Sequence, residues 1–200
     1  MADSCSHPLF RVLPDRHFTY LCPSKITTDM KFGVVVFPGS NCDRDMYDAL
    51  HDDLGQDVTM LWHKDRDLSK FTTDDCIILP GGFSYGDYVM AGRIAQLVTE
   101  RRLGSAIEDF ISNGGYVLGI CNGFQILTKI GVLPKGSLID NVSGRFQCRW
   151  VKLKSVQPDN PFLAELPEEW ELPIAHAEGR FVAPEGMAEE YLAKGLVTLQ

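Results

Sequence analysis

Four short runs of apolar residues dominate the pattern of the chain between residues 30 and 131. The first of them, Gly-Val-Val-Val-Phe, is continuously apolar, which is typical of a strand buried on both faces, and the others are short runs that also read as strands. The runs are 33–37, 58–62, 76–79 and 116–120. Between and after them, the pattern predicts helices over 43–54, 89–103, 105–111 and 122–130. Because short strands alternate with helices and parallel crossovers are right-handed, we predict an α/β fold with a flavodoxin-like, doubly wound, mostly parallel sheet.

The two ends of the chain follow weaker patterns. Residues 1–29 show neither the period of a strand nor that of a helix, so we predict a poorly ordered extension followed by a folded domain over 30–200. Met30 directly precedes the first strand, and we hypothesise that it is the natural start. N-terminal sequencing of the native protein that found Met1 or Ala2 would refute this.

Beyond Gly144 the alternation of polar and apolar residues predicts more exposed strands. Residues 147–153 read as one such strand and residues 172–175 as a second, shorter one. Residues 196–199 resemble a strand that ends abruptly.

Composition and charge narrow the class of protein. The chain has 200 residues, of which 44% are hydrophobic and 23% charged, as expected of one globular domain. A net charge of -8 argues against nucleic acid, which requires clustered Lys and Arg. We find no apolar run long enough for a membrane span and no signal-peptide pattern. The six cysteines form no CxxC pair and no metal-ligand spacing with His, so we predict a cytoplasmic protein without a metal.

A cysteine stands between two glycines at the end of the fourth strand. In the segment Gly-Ile-Cys-Asn-Gly, Cys121 lies where strand turns into helix, as the nucleophile does in a nucleophile elbow. The positive end of the following helix favours a thiolate, and the backbone N–H of Asn122 can face an oxyanion. A small buried structural cysteine is the alternative. The local sequence alone leaves both interpretations open.

Only one of the histidines occurs in a pattern that suggests catalysis. His176 and Glu178 lie two apart near a strand end, and strand alternation would direct both side chains to the same side. A carboxylate beside an imidazole can orient it as in a nucleophile–base–acid triad, although a surface salt pair is the alternative. We expect surface roles for the remaining histidines, which are His7, His17, His51 and His63.

With the other loops included, the sequence resembles a known family. Residues 119–125, Gly-Ile-Cys-Asn-Gly-Phe-Gln, resemble the elbow of triad-type (class I) glutamine amidotransferases. Three further segments, 37–43, 79–87 and 173–180, resemble the glutaminase subunits of phosphoribosylformylglycinamidine synthases of de novo purine synthesis. The likeness runs from about Met30 to the end of the chain.

The resemblance implies roles for particular residues. Cys121 would form a glutamyl thioester, and His176, oriented by Glu178, would protonate the departing ammonia and later activate water. Backbone N–H groups of Asn122 and the Gly81-Gly82 turn would hold the oxyanion. The residues expected near the bound glutamine are Phe83 and Gln125.

The resemblance also implies partners. Ammonia would pass to a large synthetase subunit, which binds ATP and magnesium, and a small accessory subunit would complete the assembly. This subunit itself would need no cofactor, in agreement with the absence of a Walker-type phosphate loop from the sequence. Family members continue several tens of residues beyond the position of Gln200, so the domain is expected to lack its C-terminal part and to have reduced stability.

Several alternatives remain at this point. Cys42 also follows a strand in a Gly-containing loop, but no glycine follows it directly, so we expect no catalytic role. Cys76 and Cys148 lie in strands and are expected to be packing residues. At the level of function, the alternatives are a non-catalytic binding subunit that keeps the fold for assembly, and a stress-type or peptidase relative with a similar cysteine elbow.

Overall fold

The computed structural model describes residues 11–12, 18–19, 30–65, 67–83, 104–157, 163 and 167–200. Contacts divide the chain into two units, which we call the sheet unit (Arg11–Phe18 and Ser24–Leu133) and the ribbon unit (Met1–Phe10, Thr19–Pro23 and Pro134–Gln200). Within the predicted extension, only the two-residue strands β1 (Arg11–Val12) and β2 (Phe18–Thr19) are described. The poor order predicted for the rest of residues 1–29 lies outside the described residues and stays a prediction.

The sheet unit is built on four parallel strands. They are β3 (Lys31–Val36), β4 (Asp57–Trp62), β5 (Cys76–Leu79) and β6 (Tyr116–Gly119). Their spatial order is β4-β3-β5-β6, and every neighbouring pair is parallel. Counted along the chain this is the order 2-1-3-4, which is the flavodoxin-like arrangement with its switch point between β3 and β5. The predicted fold class is confirmed.

Both faces of this sheet are covered, because successive strand residues point to opposite sides. One buried cluster joins Val35, Ile77 and Leu79 to residues of the helices after β5 and β6, including Ile107 and Leu127. The other face buries Val34, Cys76 and Ile78 against residues of the segment after β3, including Met46 and Leu50. The runs of the central strands β3 and β5 therefore belong to strands buried on both faces, as predicted, whereas the edge strands β4 and β6 leave Trp62 and Leu118 partly exposed.

The helices of the sheet unit match the predicted segments with one difference. α2 (Gly104–Ser112) and α3 (Asn122–Lys129) lie where they were expected. The segment after β3 begins as α1 (Asp43–Tyr47) but continues as a π-helical stretch (Asp48–Asp53). In that stretch the carbonyl of Ala49 accepts from the N–H of Leu54 at 3.2 Å, an i→i+5 bond that no side-chain pattern reveals. The helix predicted over 89–103 lies outside the described residues.

The ribbon unit is antiparallel. β8 (Gln147–Lys154) pairs with β9 (Glu169–His176) along its whole length, and β7 (Ser137–Ile139) pairs with β10 (Arg180–Val182). A helix, α4 (Met187–Ala193), follows. The strand over 147–153 is confirmed, β9 is longer than expected, and residues 196–199 contribute only an antiparallel bridge from Leu199 to Ser155. The short β7 and β10 have too few residues to show a period.

The burial of two side chains corrects the sequence analysis. His63 is only 3% exposed and is not a surface residue, because the alternation of β4 continues past its end and turns Leu61 and His63 inward while Trp62 faces outward. Cys148 is exposed rather than packed, since the pleat of β8 places it on the face opposite Val151. Cys76 is buried as predicted, and burial raises the pKa of its thiol to about 12.

The described residues contain neither a helix suited to cross a membrane nor a cluster of metal ligands. None of the helices in that part of the chain is long and apolar enough to cross a membrane. No group of three or more His, Cys, Asp and Glu side chains among those residues is arranged to hold a metal ion.

Candidate active site

Cys121 occupies the sharp turn between β6 and α3. Its backbone has φ 51° and ψ −110°, and it is the one non-glycine residue with positive φ among those described. Such a conformation costs on the order of 1–3 kcal/mol and persists only where the surrounding structure holds it. The side chain is exposed. The strained strand-to-helix turn that the sequence predicted is therefore present, and it presents a thiol to solvent.

The two glycines that flank the turn are required by close packing. A Cβ at Gly119 would lie 2.6 Å from Cδ1 of Leu127 and 2.9 Å from the carbonyl oxygen of Gly123. A Cβ at Gly123 would lie 1.9 Å from the carbonyl oxygen of Leu79, which is an impossible contact. The absence of side chains at both positions lets the first turn of α3 pack directly on β5 and β6.

The loops after β3 and β5 are tied together beside this turn. A Cβ at Gly81 would lie 3.2 Å from Cβ of Cys121, so the Gly81-Gly82 turn lies against the elbow. The side-chain oxygen of Asn41 accepts from the N–H of Phe83 at 3.2 Å, and the hydroxyl of Ser40 donates to the carbonyl of Gly81 at 3.3 Å. β3 and β5 are neighbours at the switch point, where ligands bind in such sheets.

Asn41 and Ser40 are supporting residues that the sequence analysis did not assign. A Cβ at Gly82, whose φ is +102°, would lie 2.5 Å from the side-chain oxygen of Asn41. The amide of Asn41 thus occupies the space that a side chain at position 82 would need. The Pro-Gly-Ser-Asn loop can be recognised in the sequence, but its hydrogen-bond partners, Gly81 and Phe83, are 41 and 42 residues further along the chain.

Backbone donors are available at the elbow. Within the described part of the chain, the N–H groups of Gly81, Gly82 and Asn122 form no hydrogen bond, as an oxyanion site requires. The side chain of Asn122 is buried, and its amide donates to the side-chain oxygen of Gln125 at 3.2 Å. Phe83 is 55% exposed. The assignment of these residues to the oxyanion and to glutamine remains a prediction.

Cys42 also lies near Gly81, since a Cβ at Gly81 would be 3.9 Å from Cβ of Cys42. Partial burial raises the pKa of the Cys42 thiol, and the nearby Asp45, Cys121 and Asp43 raise it further. A thiol held in its protonated form is a weak nucleophile. This supports the prediction that Cys42 is not the attacking group.

His176 and Glu178 lie in the ribbon unit, whereas Cys121 lies in the sheet unit. β9 ends at His176, so Glu178 falls beyond the strand and the alternation argument does not extend to it. Among the described residues, the ring of His176 bonds to Asn141, with Nδ1 3.0 Å from the side-chain oxygen, and not to Glu178, which is exposed. The assembly of Cys121, His176 and Glu178 into one triad remains a prediction.

Comparisons with known proteins give the family. The family model described as a CobB/CobQ-like glutamine amidotransferase domain matches residues 29–200. The chain is 50% identical over 156 residues to phosphoribosylformylglycinamidine synthase subunit PurQ of Moorella thermoacetica, covering 77% of this chain and 63% of that protein. It is 45% identical over 170 residues to the subunit of the same name from Alkaliphilus metalliredigens, covering 84% of this chain and 72% of that protein.

A solved structure of PurLQS from Thermotoga maritima contains a chain with the same fold. The TM-score is 0.65 at 40% sequence identity, with 80% of this chain and 72% of that chain covered. The chain therefore belongs to the CobB/CobQ-like glutamine amidotransferase domain family, and within it to the group of the PurQ subunits of phosphoribosylformylglycinamidine synthase. It spans 63% of the length of the Moorella relative and 72% of the Alkaliphilus relative.

Proposed function

We propose that this chain is the glutaminase component of a phosphoribosylformylglycinamidine synthase, in which it hydrolyses glutamine to glutamate and ammonia. The observation that carries the proposal is the backbone of Cys121, which is held at positive φ between a strand and a helix, with an exposed thiol. Strain of this kind is kept where it serves a site, and among the described residues the N–H groups of the Gly81-Gly82 turn and Asn122 beside it form no hydrogen bond. The names of the PurQ relatives favour this synthase over other amidotransferases.

The chemistry follows from the residue types. The thiolate of Cys121 attacks the carboxamide carbon of glutamine, and the N–H groups of Gly81, Gly82 and Asn122 stabilise the oxyanion. The C–N bond breaks as His176 gives a proton to the leaving nitrogen, which departs as ammonia. Water, deprotonated by His176, then attacks the thioester, and the C–S bond breaks to release glutamate and the thiolate. Glu178 orients the ring of His176 and stabilises its protonated form.

The proposed partners are a large synthetase subunit and a small accessory subunit. The PurQ relatives are named as subunits, and the structural relative comes from PurLQS. Ammonia would pass to the synthetase, where ATP and magnesium would be bound and the formylglycinamidine ribonucleotide made. We propose that this chain itself needs no cofactor. We also propose that it is located in the cytoplasm, together with the other enzymes of purine synthesis.

Reaction with a glutamine-mimicking electrophile, such as a diazoketone analogue, tests the nucleophile without requiring turnover. We expect a single adduct on Cys121, mapped by mass spectrometry and suppressed by excess glutamine. Cys148 provides an internal control, because its thiol is also exposed but lies in the ribbon unit. Selective reaction at Cys121 would therefore reflect glutamine binding and activation rather than exposure alone.

Failure of this experiment has a specific meaning. A folded protein that gave no adduct, or equal labelling of Cys121 and Cys148, would contradict a formed glutaminase site. The alternative, a non-catalytic binding subunit, is favoured by one observation, which is that His176 bonds to Asn141 rather than to Glu178. In that case the protein would still associate with the synthetase in a pull-down experiment while releasing no glutamate.

Replacement of Glu178 by glutamine tests the proposed acid of the triad. We expect the rate of glutamate release to fall by roughly 10²- to 10⁴-fold, because a neutral amide stabilises the protonated imidazole poorly. Glu171→Gln is a matched control, since Glu171 is an exposed carboxylate of the same strand as His176. An unchanged rate in Glu178→Gln would remove the orienting role from this residue.

A further inference from the structure

The loop after β3 is fixed at both of its ends. The carbonyl of Phe37 accepts from the N–H of Ser40 at 3.0 Å and closes a turn with proline and glycine in its middle. The glycine, Gly39, has φ 78°, which is typical of a type II turn. α1 begins shortly after this turn, at Asp43. Ser40 and Asn41 therefore lie on a short segment whose backbone is held by a turn on one side and a helix on the other.

Ser40 holds the peptide unit that joins Gly81 to Gly82. Its hydroxyl donates to the carbonyl oxygen of Gly81 at 3.3 Å. A trans peptide unit is planar, so its C=O and its N–H point in opposite directions. No cis peptide occurs among the described residues. Because the carbonyl of Gly81 is turned toward Ser40, the N–H of Gly82 must point away from it.

Asn41 holds the next peptide unit, which joins Gly82 to Phe83. Its side-chain oxygen accepts from the N–H of Phe83 at 3.2 Å. A backbone N–H can only donate, so the oxygen of the amide and not its nitrogen must face this group. The same oxygen would lie 2.5 Å from a Cβ at Gly82, so the amide packs directly on that glycine.

Gly82 requires this support because the backbone of a glycine rotates easily. Its φ is +102°, a conformation that residues with a Cβ rarely adopt. Rotation of the Gly81-Gly82 peptide unit by half a turn would exchange its N–H for its carbonyl oxygen. A carbonyl oxygen would repel the negative charge that an N–H stabilises. Since both neighbouring peptide units are bonded, Gly82 is held in one of these two orientations.

The turn that carries this N–H lies against the candidate nucleophile. A Cβ at Gly81 would be 3.2 Å from Cβ of Cys121 and 3.6 Å from the carbonyl oxygen of Ile120. Within the part of the chain that the structure describes, the N–H of Gly82 forms no hydrogen bond, so it is available to a ligand. All of these residues belong to the sheet unit.

We propose that Ser40 and Asn41 are positioning residues, which hold the Gly81-Gly82 turn so that the N–H of Gly82 is presented to an oxyanion formed at Cys121. The catalytic meaning of this inference rests on the proposed function, in which glutamine supplies that oxyanion. The restraint on the turn does not, because it depends only on contacts between the loops after β3 and β5. Both residues act through the backbone of Gly82.

An aldehyde probe distinguishes this role from simple exposure of the thiol. The probe is glutamate γ-semialdehyde, in which an aldehyde replaces the carboxamide of glutamine. The thiolate of Cys121 adds to its carbonyl carbon, an S–C bond forms, and the electron pair of the C=O π bond moves onto oxygen, which becomes the oxyanion of a hemithioacetal. Iodoacetamide instead alkylates the thiol with loss of iodide, and no oxyanion forms.

Both reagents are combined in one measurement on the chain in complex with the synthetase and accessory subunits. Mass spectrometry follows the alkylation of Cys121 by iodoacetamide at increasing concentrations of the aldehyde. The rate without aldehyde reports the reactivity of the thiol, and its suppression gives the Kd of the aldehyde. All variants receive the same stock solution, so cyclisation of the aldehyde affects each of them equally.

We expect Ser40→Ala and Asn41→Ala each to raise the Kd of the aldehyde by roughly 10- to 100-fold, because loss of a whole oxyanion donor costs roughly 10²- to 10³-fold. The alkylation rate should change less than about twofold, since it depends on the thiolate and not on the turn. The double variant should lose less than the product of the two single effects, because both side chains hold the same N–H. Ser40→Thr keeps the hydroxyl and should bind the aldehyde as the wild type does.

Arg44→Gln is the matched control. Arg44 lies on α1 in the same segment of the chain, but its guanidinium pairs with Asp48 and lies over the ring of Tyr47. Its replacement should leave the Kd of the aldehyde unchanged. In turnover experiments on the complex, kcat for glutamate release should fall roughly 10- to 100-fold in the two alanine variants, with KM changed less than about threefold, because the donor acts mainly on the oxyanion.

The outcomes distinguish this inference from the proposed function. An unchanged Kd of the aldehyde in both alanine variants would refute the positioning role, even in a protein that hydrolyses glutamine. Equal changes in aldehyde binding and in alkylation rate would show general damage to the loop and would refute it as well. A wild type without any protection by the aldehyde would overturn the inference directly. A wild type that binds the aldehyde through Ser40 and Asn41 but releases no glutamate would refute the proposed function alone.

Discussion

Replacement of Cys121 by alanine is expected to abolish glutamate release, with a loss of roughly 10⁶-fold, the size seen when the nucleophile of a serine triad is removed. Without the thiol no thioester can form, and the remaining N–H donors can only bind the amide. The change removes a single exposed sulfur from a strained turn, so the fold should be retained. Glutamate release is measured with the synthetase and accessory subunits added, and circular dichroism checks the fold.

Cys42→Ala is the matched control for this experiment. Cys42 lies beside the same glycine, Gly81, but its thiol is held protonated by burial and by nearby carboxylates, which raise its pKa. We expect the variant to keep its rate within a few-fold of the wild type. If Cys42→Ala lost activity and Cys121→Ala kept it, the assignment of the nucleophile would be reversed.

Replacement of Gly123 by alanine is expected to destabilise the protein by about 3 kcal/mol or more, at or above the upper end of typical overpacking costs. In an open helix the same change is favourable by up to about 1 kcal/mol. Here the new methyl group would lie 1.9 Å from the carbonyl oxygen of Leu79, so α3 would have to move away from β5. That movement would open the buried contacts of Ile126 and Leu127 and displace Cys121.

Gly131→Ala provides the comparison at the other end of the same helix. Gly131 has φ +83° and nothing within 4 Å of a Cβ, so the cost is about 1 kcal/mol of left-handed backbone strain. Urea unfolding of the wild type and both variants gives the free energies directly. If Gly123→Ala lowered the free energy of unfolding no more than Gly131→Ala does, the packing argument would be wrong.

Much of the sheet unit was predictable because each part of it leaves a local pattern. A short run of apolar residues marks a strand of a covered sheet, and the four runs became β3, β4, β5 and β6. The elbow was predictable for the same reason, since a tight strand-to-helix turn needs glycines next to it, and Gly119 and Gly123 have no room for a side chain. The PurQ resemblance of the motifs was confirmed by the relatives.

Elements that depend on distant partners were not predictable. β7 and β10 pair across residues 137–182, and nothing in three residues shows a period. His63 was expected at the surface because its neighbours in sequence are polar, but the alternation of β4 directs its side chain into the core. The π-helical stretch after α1 depends on one shifted backbone bond, which leaves no trace in the order of side chains.

The sequence by itself determined the class of fold, the position of the candidate nucleophile and the family. The positions of glycine and proline and the spacing of apolar residues affect the backbone over only a few residues. They can therefore be recognised in the sequence wherever the backbone geometry depends on near neighbours. Only the tertiary structure decided what surrounds those residues. Asn141 reaches the ring of His176 across 35 residues, and Asn41 reaches Phe83 across 42, because hydrogen bonds of this kind form only after strands and loops are brought together.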